Sequence, residues 1–326
     1  VRAAAGTCHY QPFNEDKGTG LLRHCLLRRG VVSGQVMVVL VTAQPVLPGA
    51  KNFVRALLAE AEKRHVPVTT VVQNYNPRRT SVVLGEEEKV LYGKGFILDT
   101  LCGKTYAISP RSFYQINHTQ TEVLYGLAVD AAHLTGKEVV LDAYCGIGTI
   151  GLIASRDARE VISVELNPDA VRDAVTNAKR NQIKNVSFYQ NDAGAFMVFM
   201  AEKGEKADVV FMDPPRAGSD EAFLSSVVTL SPKKVVYVSC NPETLARDLR
   251  YLTKHGYKAE EAWGYDMFAW SEHVESIVLL SKLKSNKLKH INVELEMDEL
   301  DLMAAESKAI YEEVKDYVSE AKRIES

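Results

Sequence analysis

Glu138-Val-Val-Leu-Asp142-Ala-Tyr-Cys-Gly146-Ile-Gly148-Thr-Ile-Gly151 is the stretch whose reading decides the fold. A short apolar run, Val139 to Leu141, ends in a carboxylate and passes through a glycine-rich turn into a second apolar segment. That order is a buried strand, a tight turn and a helix. Gly146, Gly148 and Gly151 fit G-x-G-x-x-G, and Glu165 closes the next apolar run, where an acid binds ribose hydroxyls. Glycine lets a cofactor approach the backbone because no Cβ stands in the way. Dinucleotide and S-adenosylmethionine folds both use this pattern. Asp142 favours S-adenosylmethionine, because a carboxylate suits a sulfonium and an amino group and repels a pyrophosphate.

Outward from this loop, strand and helix alternate. Glu138–Ala143, Glu160–Glu165, Val186–Gln190, Ala207–Met212, Lys234–Ser239 and Ser276–Ser281 read as strands, with Thr149–Ser155 and Pro168–Asn181 as helices. Continuous apolar runs such as Val235-Val-Tyr-Val238 suit parallel strands buried on both faces. The expected architecture is a doubly wound, Rossmann-like α/β domain over 106–282. A smaller α+β domain over 1–105 precedes it. In that segment Leu21–Leu27 and Gln35–Thr42 read as paired strands, an amphipathic helix carries Phe53, Leu57, Leu58 and Ala61, and Val66–Asn74 and Lys89–Leu98 return as strands. Residues 283–326 read as an appended strand and helix.

The chain has 326 residues, 46% apolar and 25% charged, with a formal charge of −3. This is ordinary globular composition and excludes collagen-like and disordered classes. Glu294 to Ser326 carries a balance of −7, which leaves +4 on the rest, mildly compatible with nucleic-acid binding. No run is long enough for a membrane helix, so no membrane partner is expected. Val1 to Gly6 lacks the regions of a signal peptide, and without an initiator Met the chain is expected to be a fragment or processed product. Cys8, Cys25, Cys102, Cys145 and Cys240 are odd in number and form no C-x-x-C pair, which points to a reduced, cytoplasmic protein.

Cys240 follows an apolar strand, and Pro242 and Glu243 open a helix directly after it. Ligands of open α/β sheets sit over the carboxyl ends of strands, and a helix N-terminus stabilises a thiolate. Cys240 is therefore the nucleophile candidate; the plainer reading is an inert buried thiol. Asp213-Pro-Pro-Arg216 ends the preceding core strand, with Asp213 aimed at the same crevice or serving as a turn acid. Glu275 begins the last strand on the face opposite Val274, where a lone acid is ordinarily a solvated rim residue. Ser109-Pro-Arg-Ser-Phe-Tyr-Gln115-Ile-Asn117 is a polar-aromatic entry into the α/β domain, or an interdomain linker.

These segments, in this order, resemble the RNA (uracil-5-)-methyltransferase family, with its tRNA and 23S-rRNA types. The resemblance covers roughly 20–281 and rests on S-P-R-x-F-x-Q-x-N, D-x-Y-C-G-x-G-T, D-P-P-R, S-C-N-P-x-T-L-A-R-D and H-V-E-S. It implies S-adenosylmethionine as cofactor, with Gln115, Tyr144, Glu165 and Asp213 at its pocket and Thr149 and Asp192 as further contacts. It implies Cys240 as nucleophile and Glu275 as base. It also implies an RNA partner, with 23S rRNA favoured over tRNA. Two departures stand out. Neither an N-terminal RNA-binding barrel nor the four-cysteine iron–sulfur site of the bacterial ribosomal types is present, so no cluster is expected. Ala269 replaces a proline frequent before the last strand. Competing readings are an amino-group methyltransferase using the Asp-Pro-Pro loop and a non-catalytic RNA-binding module.

Overall fold

The computed structural model describes residues 1–78 and 80–283. The strand–helix module expected at 283–326 lies outside the described residues except for Leu283. The chain divides into two compact units, one formed by Val1–His118 with Arg172–Gln182, the other by Thr119–Val171 with the residues from Ile183 onward.

The first unit begins with helix α1 (Arg2–Thr7), then β1 (Leu22–Arg29), β2 (Val36–Thr42), α2 (Ala50–Lys63), β3 (Val68–Tyr75) and β4 (Glu87–Tyr92). These strands form one sheet in chain order. β1 and β2 pair antiparallel, as the sequence leads one to expect, while β2 and β3 are parallel because α2 provides the crossover. Phe53, Val54 and Leu57 of α2 are buried with Val38, Leu40 and Val71 of the sheet. The run expected as one strand over 89–98 is two, for β5 is Ile97–Leu101. Gly93 turns the chain between them at φ +75, and a Cβ there would lie 2.0 Å from the Thr69 carbonyl oxygen. β5 then pairs with β6 (Lys104–Ile108) through Cys102 and Gly103, both at positive φ, which is the demand of a two-residue hairpin.

The second unit contains α3 (His118–Ala131, from its second residue), β7 (Val139–Asp142), α4 (Thr149–Ala154), β8 (Glu160–Glu165), and the start of α5 (Pro168–Arg180). It continues through β9 (Val186–Gln190), α6 (Ala193–Glu202), β10 (Val209–Met212), α7 (Glu221–Leu230), β11 (Lys234–Ser239), α8 (Pro242–Lys254), β12 (Tyr257–Tyr265) and β13 (Glu275–Lys282). The sheet order is β12-β13-β11-β10-β7-β8-β9. β11, β10, β7, β8 and β9 are parallel, and the order reverses direction on either side of β7, so the unit is the Rossmann-like α/β fold read from the sequence. Val210, Met212, Val235, Tyr237 and Leu280 lie in its core.

Two features of this sheet were not read from sequence. β13 runs antiparallel between β11 and β12. β12 itself is almost wholly exposed, with Lys258, Glu260 and Glu261 along it, so it lacks the apolar run that marks a strand. Charged edge strands of this kind resist further pairing. Among the described residues no helix is long and apolar enough to cross a membrane.

Candidate active site

Strand register assembles the site. β7 and β8 pair Asp142 with Ser163, and β7 and β10 pair Asp142 with Phe211. Just past those pairs, Glu165 ends β8, while Tyr144 and Asp213 follow the carboxyl ends of β7 and β10. The antiparallel pairing of β11 with β13 ends at Ser239 and Ser276. Cys240 directly follows Ser239 and Glu275 directly precedes Ser276, so both stand next to the last registered pair. The nucleophile and base candidates thus stand at adjoining strand ends, near enough for Glu275 to act on the thiol, because the last strand is inserted antiparallel.

The glycine loop is built for close approach. Gly146 and Gly148 adopt φ +53 and +86. A Cβ on Gly146 would meet open space, whereas one on Gly151 would lie 2.8 Å from Asp142 Oδ2 and from Ser163 Oγ. The first glycine therefore keeps a surface bare and the third lets α4 lie against the sheet. Asp142 is buried and accepts the Gly151 N–H at 2.8 Å. Its carboxylate serves the start of α4. Burial lifts its pKa to about 7, and Glu165 adds to the rise. Glu165 accepts from Gly146 N–H at 3.1 Å and Asn167 N–H at 2.8 Å, which fixes the loop beside it. Tyr144 packs its ring 4.9 Å from Phe223, and burial raises its hydroxyl to about 12. Asp192 caps α6 by accepting from Ala195 N–H at 2.8 Å, and Thr149 is the first residue of α4.

Asp213, Cys240 and Glu275 form the charged end of the crevice. Among the described residues no hydrogen bond reaches the Asp213 carboxylate, whose pKa rises to about 7 through burial, Glu275 and Asp142. Glu275 is 6% exposed, so it is no solvated rim residue, and burial lifts its pKa against the pull of Arg216. The Cys240 thiol is also raised, first by burial and then by Glu275 and Asp213, against Arg216 and a backbone N–H. The helix-end effect expected from sequence is outweighed here by burial first and then by two neighbouring carboxyls.

Sequence reasoning gave no role to the later part of the Cys240 segment, yet it anchors the Asp213 loop. Asp248, fully buried on α8, accepts from Ser219 N–H at 2.8 Å, Tyr237 Oη–H at 2.6 Å and Arg247 Nε–H at 2.8 Å. Arg247 also donates to the carbonyls of Ala217 and Ser219. Asn241 caps α8 and donates Nδ2–H to the Arg216 carbonyl at 3.1 Å. Gly218, at φ +72, is required because a Cβ would lie 2.6 Å from Arg247 Nη2. Asp248 lies nearly two turns into α8, and its role shows only in the buried donors it gathers, since such acids are rarely buried without partners.

Gln115 belongs to the first unit, half-buried in the 109–117 loop. That loop is clamped. Arg28 donates to the carbonyls of Ser109, Pro110 and Ser112, while the hydroxyls of Ser109 and Ser112 donate to Asp173 at 2.8 and 2.7 Å. Phe113 and Ile116 are left exposed at its tip.

Residues 83–283 match the tRNA (uracil-5-)-methyltransferase family. The chain belongs to that family. It is 46% identical over 280 residues to an uncharacterized RNA methyltransferase of Halalkalibacterium halodurans, covering 86% of this chain and 60% of the relative. A second, from Listeria monocytogenes serotype 4b, is 45% identical over 270 residues and is covered to 58%, against 83% of this chain. The chain therefore spans about three-fifths of the length of these relatives. Among solved structures it resembles the Pyrococcus abyssi tRNA (uracil-54, C5)-methyltransferase in complex with S-adenosyl-L-homocysteine, with TM-score 0.70, 28% identity, and coverage of 86% of this chain and 64% of that one. The M. jannaschii tRNA m1G37 methyltransferase, at TM-score 0.51, 15% identity, and coverage of 83% and 76%, shares the fold.

Proposed function

We propose that this chain transfers a methyl group from S-adenosylmethionine to C5 of a uridine in RNA through a transient Cys240–C6 bond. What supports the reading most is that Cys240 and Glu275 flank the last β11–β13 pair beside Asp213, whose carboxylate takes no hydrogen bond among the described residues. The bare glycine backbone at Gly146 and the surplus of carboxylates fit a ligand that is cationic and lies close to the chain. Glu165, Tyr144, Thr149 and Asp192 are the residues that would hold it in this unit. S-adenosylmethionine, when bound, supplies the methyl group.

Uracil C5 is a weak nucleophile. Addition of the Cys240 thiolate to C6 breaks the ring conjugation and places electron density at C5. Asp213 accepts the N3–H of uracil and holds the ring in register. After methylation C5 still bears a proton, which Glu275 removes as the C6–S bond breaks and the thiolate leaves. Burial raises the Glu275 pKa above the usual carboxylate range, which makes it a stronger base. Such a base must be extruded from a stem or presented in a loop to reach the crevice.

The expected RNA is 23S rRNA on the sequence resemblance; the archaeal structure is a tRNA enzyme, and that favours tRNA as the second reading. Mapping of 5-methyluridine in total RNA with and without the gene separates the two. Cys240→Ala is expected to abolish methyl transfer and to retain S-adenosylmethionine binding by calorimetry. Residual C5 methylation by the alanine protein would refute the thiolate route, and loss of transfer without the cysteine excludes the amino-group reading.

A further inference from the structure

We propose that Trp270 is a stacking platform for an RNA base flanking the one that enters the crevice. The inference rests on the RNA reading above and adds a residue and a contact to it. Trp270 lies on the 266–274 loop joining β12 to β13, the two strands that pair Tyr265 with Glu275. The loop therefore closes on Glu275, the residue that acts on the Cys240 thiol, at the carboxyl edge of the sheet.

Three observations set this indole apart. It is fully exposed, at 105% of its reference area, whereas the chain's other tryptophan, Trp263 on β12, is half-buried. Large aromatic side chains ordinarily bury most of their surface. Its backbone stands at φ +76, a region L-residues with bulky side chains avoid. The Ser271 N–H donates to the Phe268 carbonyl at 3.0 Å, so Trp270 occupies the third position of a tight turn, where positive φ calls for glycine or asparagine. Strain of this kind persists where the surroundings enforce it. Here they do. Met267 is fully buried with Thr121 against its sulfur, Tyr265 bonds Gln120, and Ser271 Oγ donates to the Phe268 carbonyl at 2.7 Å.

The loop is thus pinned at its base and displays one bare ring. The partner this fits is a planar, uncharged surface. Asp266 and Glu272 on the same loop disfavour a phosphate, so the contact is with a base's face, not the backbone. Base–aromatic stacking is tolerant of sequence and suits the unpaired residues around an extruded nucleotide.

The test uses the full chain carrying Trp263→Phe, so that Trp270 is its sole indole. Poly(U) is expected to quench its fluorescence, and heparin, a polyanion without bases, to leave it unchanged. In methylation assays on total RNA from cells lacking the gene, Trp270→Ala is expected to raise the KM for RNA about tenfold. The KM for S-adenosylmethionine should stay fixed, and Trp270→Phe should recover most of the loss. Equal quenching by heparin, or an alanine variant with the wild-type KM for RNA, would overturn the inference. So would an emission change that follows protein concentration alone, which would mark a contact between copies. A wild-type chain that methylates no uridine but is quenched by poly(U) would instead sink the uridine reading and leave the stacking surface standing.

Discussion

Tyr237→Phe tests whether the Asp248 network holds the Asp213 loop in place. The substitution removes one hydroxyl and keeps the ring, so no cavity opens in a side chain that is fully buried. What is lost is a 2.6 Å bond to the Asp248 carboxylate. A hydrogen bond to a charged group contributes about 1.5–3 kcal/mol. Asp248 keeps Ser219 N–H and Arg247 Nε–H, each at 2.8 Å, which places the expected cost near the middle, about 2 kcal/mol. For a domain of this size that is a fall of roughly 4–8 °C in Tm. Asp248→Ala strands three donors at once and is expected to cost about 3–5 kcal/mol, a large share of a typical domain's stability. Thermal unfolding by circular dichroism reads both. The Ser219 and Arg247 bonds tie the network to residues 217–219, so Tyr237→Phe is also expected to raise the KM for S-adenosylmethionine several-fold at temperatures well below melting. A Tm within 1 °C of wild type, roughly the scatter of the measurement, together with an unchanged KM, would show that the network neither stabilises the fold nor positions the loop.

Glu275→Gln is expected to accumulate a covalent protein–RNA adduct, visible as a slow band on denaturing gels, because addition proceeds while proton removal stalls; a clean gel with lost activity would place the base elsewhere. Binding of the target uridine is expected to strengthen as pH rises through about 7, since Asp213 titrates there and its ionised form accepts the N3–H. Calorimetry in buffers of differing ionisation enthalpy should detect proton release, and Asp213→Asn should flatten the profile. Asp213 and Asp142 have folded pKa values raised above those of the unfolded chain. They favour the folded state below pH 4, and this contribution is lost as pH rises towards 7. If unliganded stability in Asp213→Asn still falls as steeply as in wild type between pH 5 and 7, the buried-carboxyl account of that residue is wrong.

The parallel half of the sheet was legible because its strands are short apolar runs bounded by glycine, proline or acid, with the chemistry at their ends. Glu165, Tyr144 and Asp213 could be placed on strand ends from such runs alone. β12 was illegible for the opposite reason: an edge strand facing solvent on most sides needs no apolar pattern, and its charges mask its extended backbone. The closeness of Cys240 and Glu275 was also out of reach, since sequence shows that both sit at strand ends but not that one strand is reversed. The rise in the thiol's pKa comes first from burial and then from that unseen neighbour. Asp248 was passed over because a polar residue inside an amphipathic helix looks like part of its wet face until the buried donors around it are seen.

The reversed final strand constrains how this chemistry can change over generations. Side chains alternate across a sheet, so deleting one residue between Ser276 and Lys282 would slide β13 by one step and swing Glu275 through to the far surface. The fold would lose little, since Leu279 and Leu280 are both apolar and buried, yet the acid would be gone from the thiol. Length is free to drift in the turn between α8 and β12, whereas inside the two facing strands a gain or loss of a single codon is tolerated only when matched by its partner.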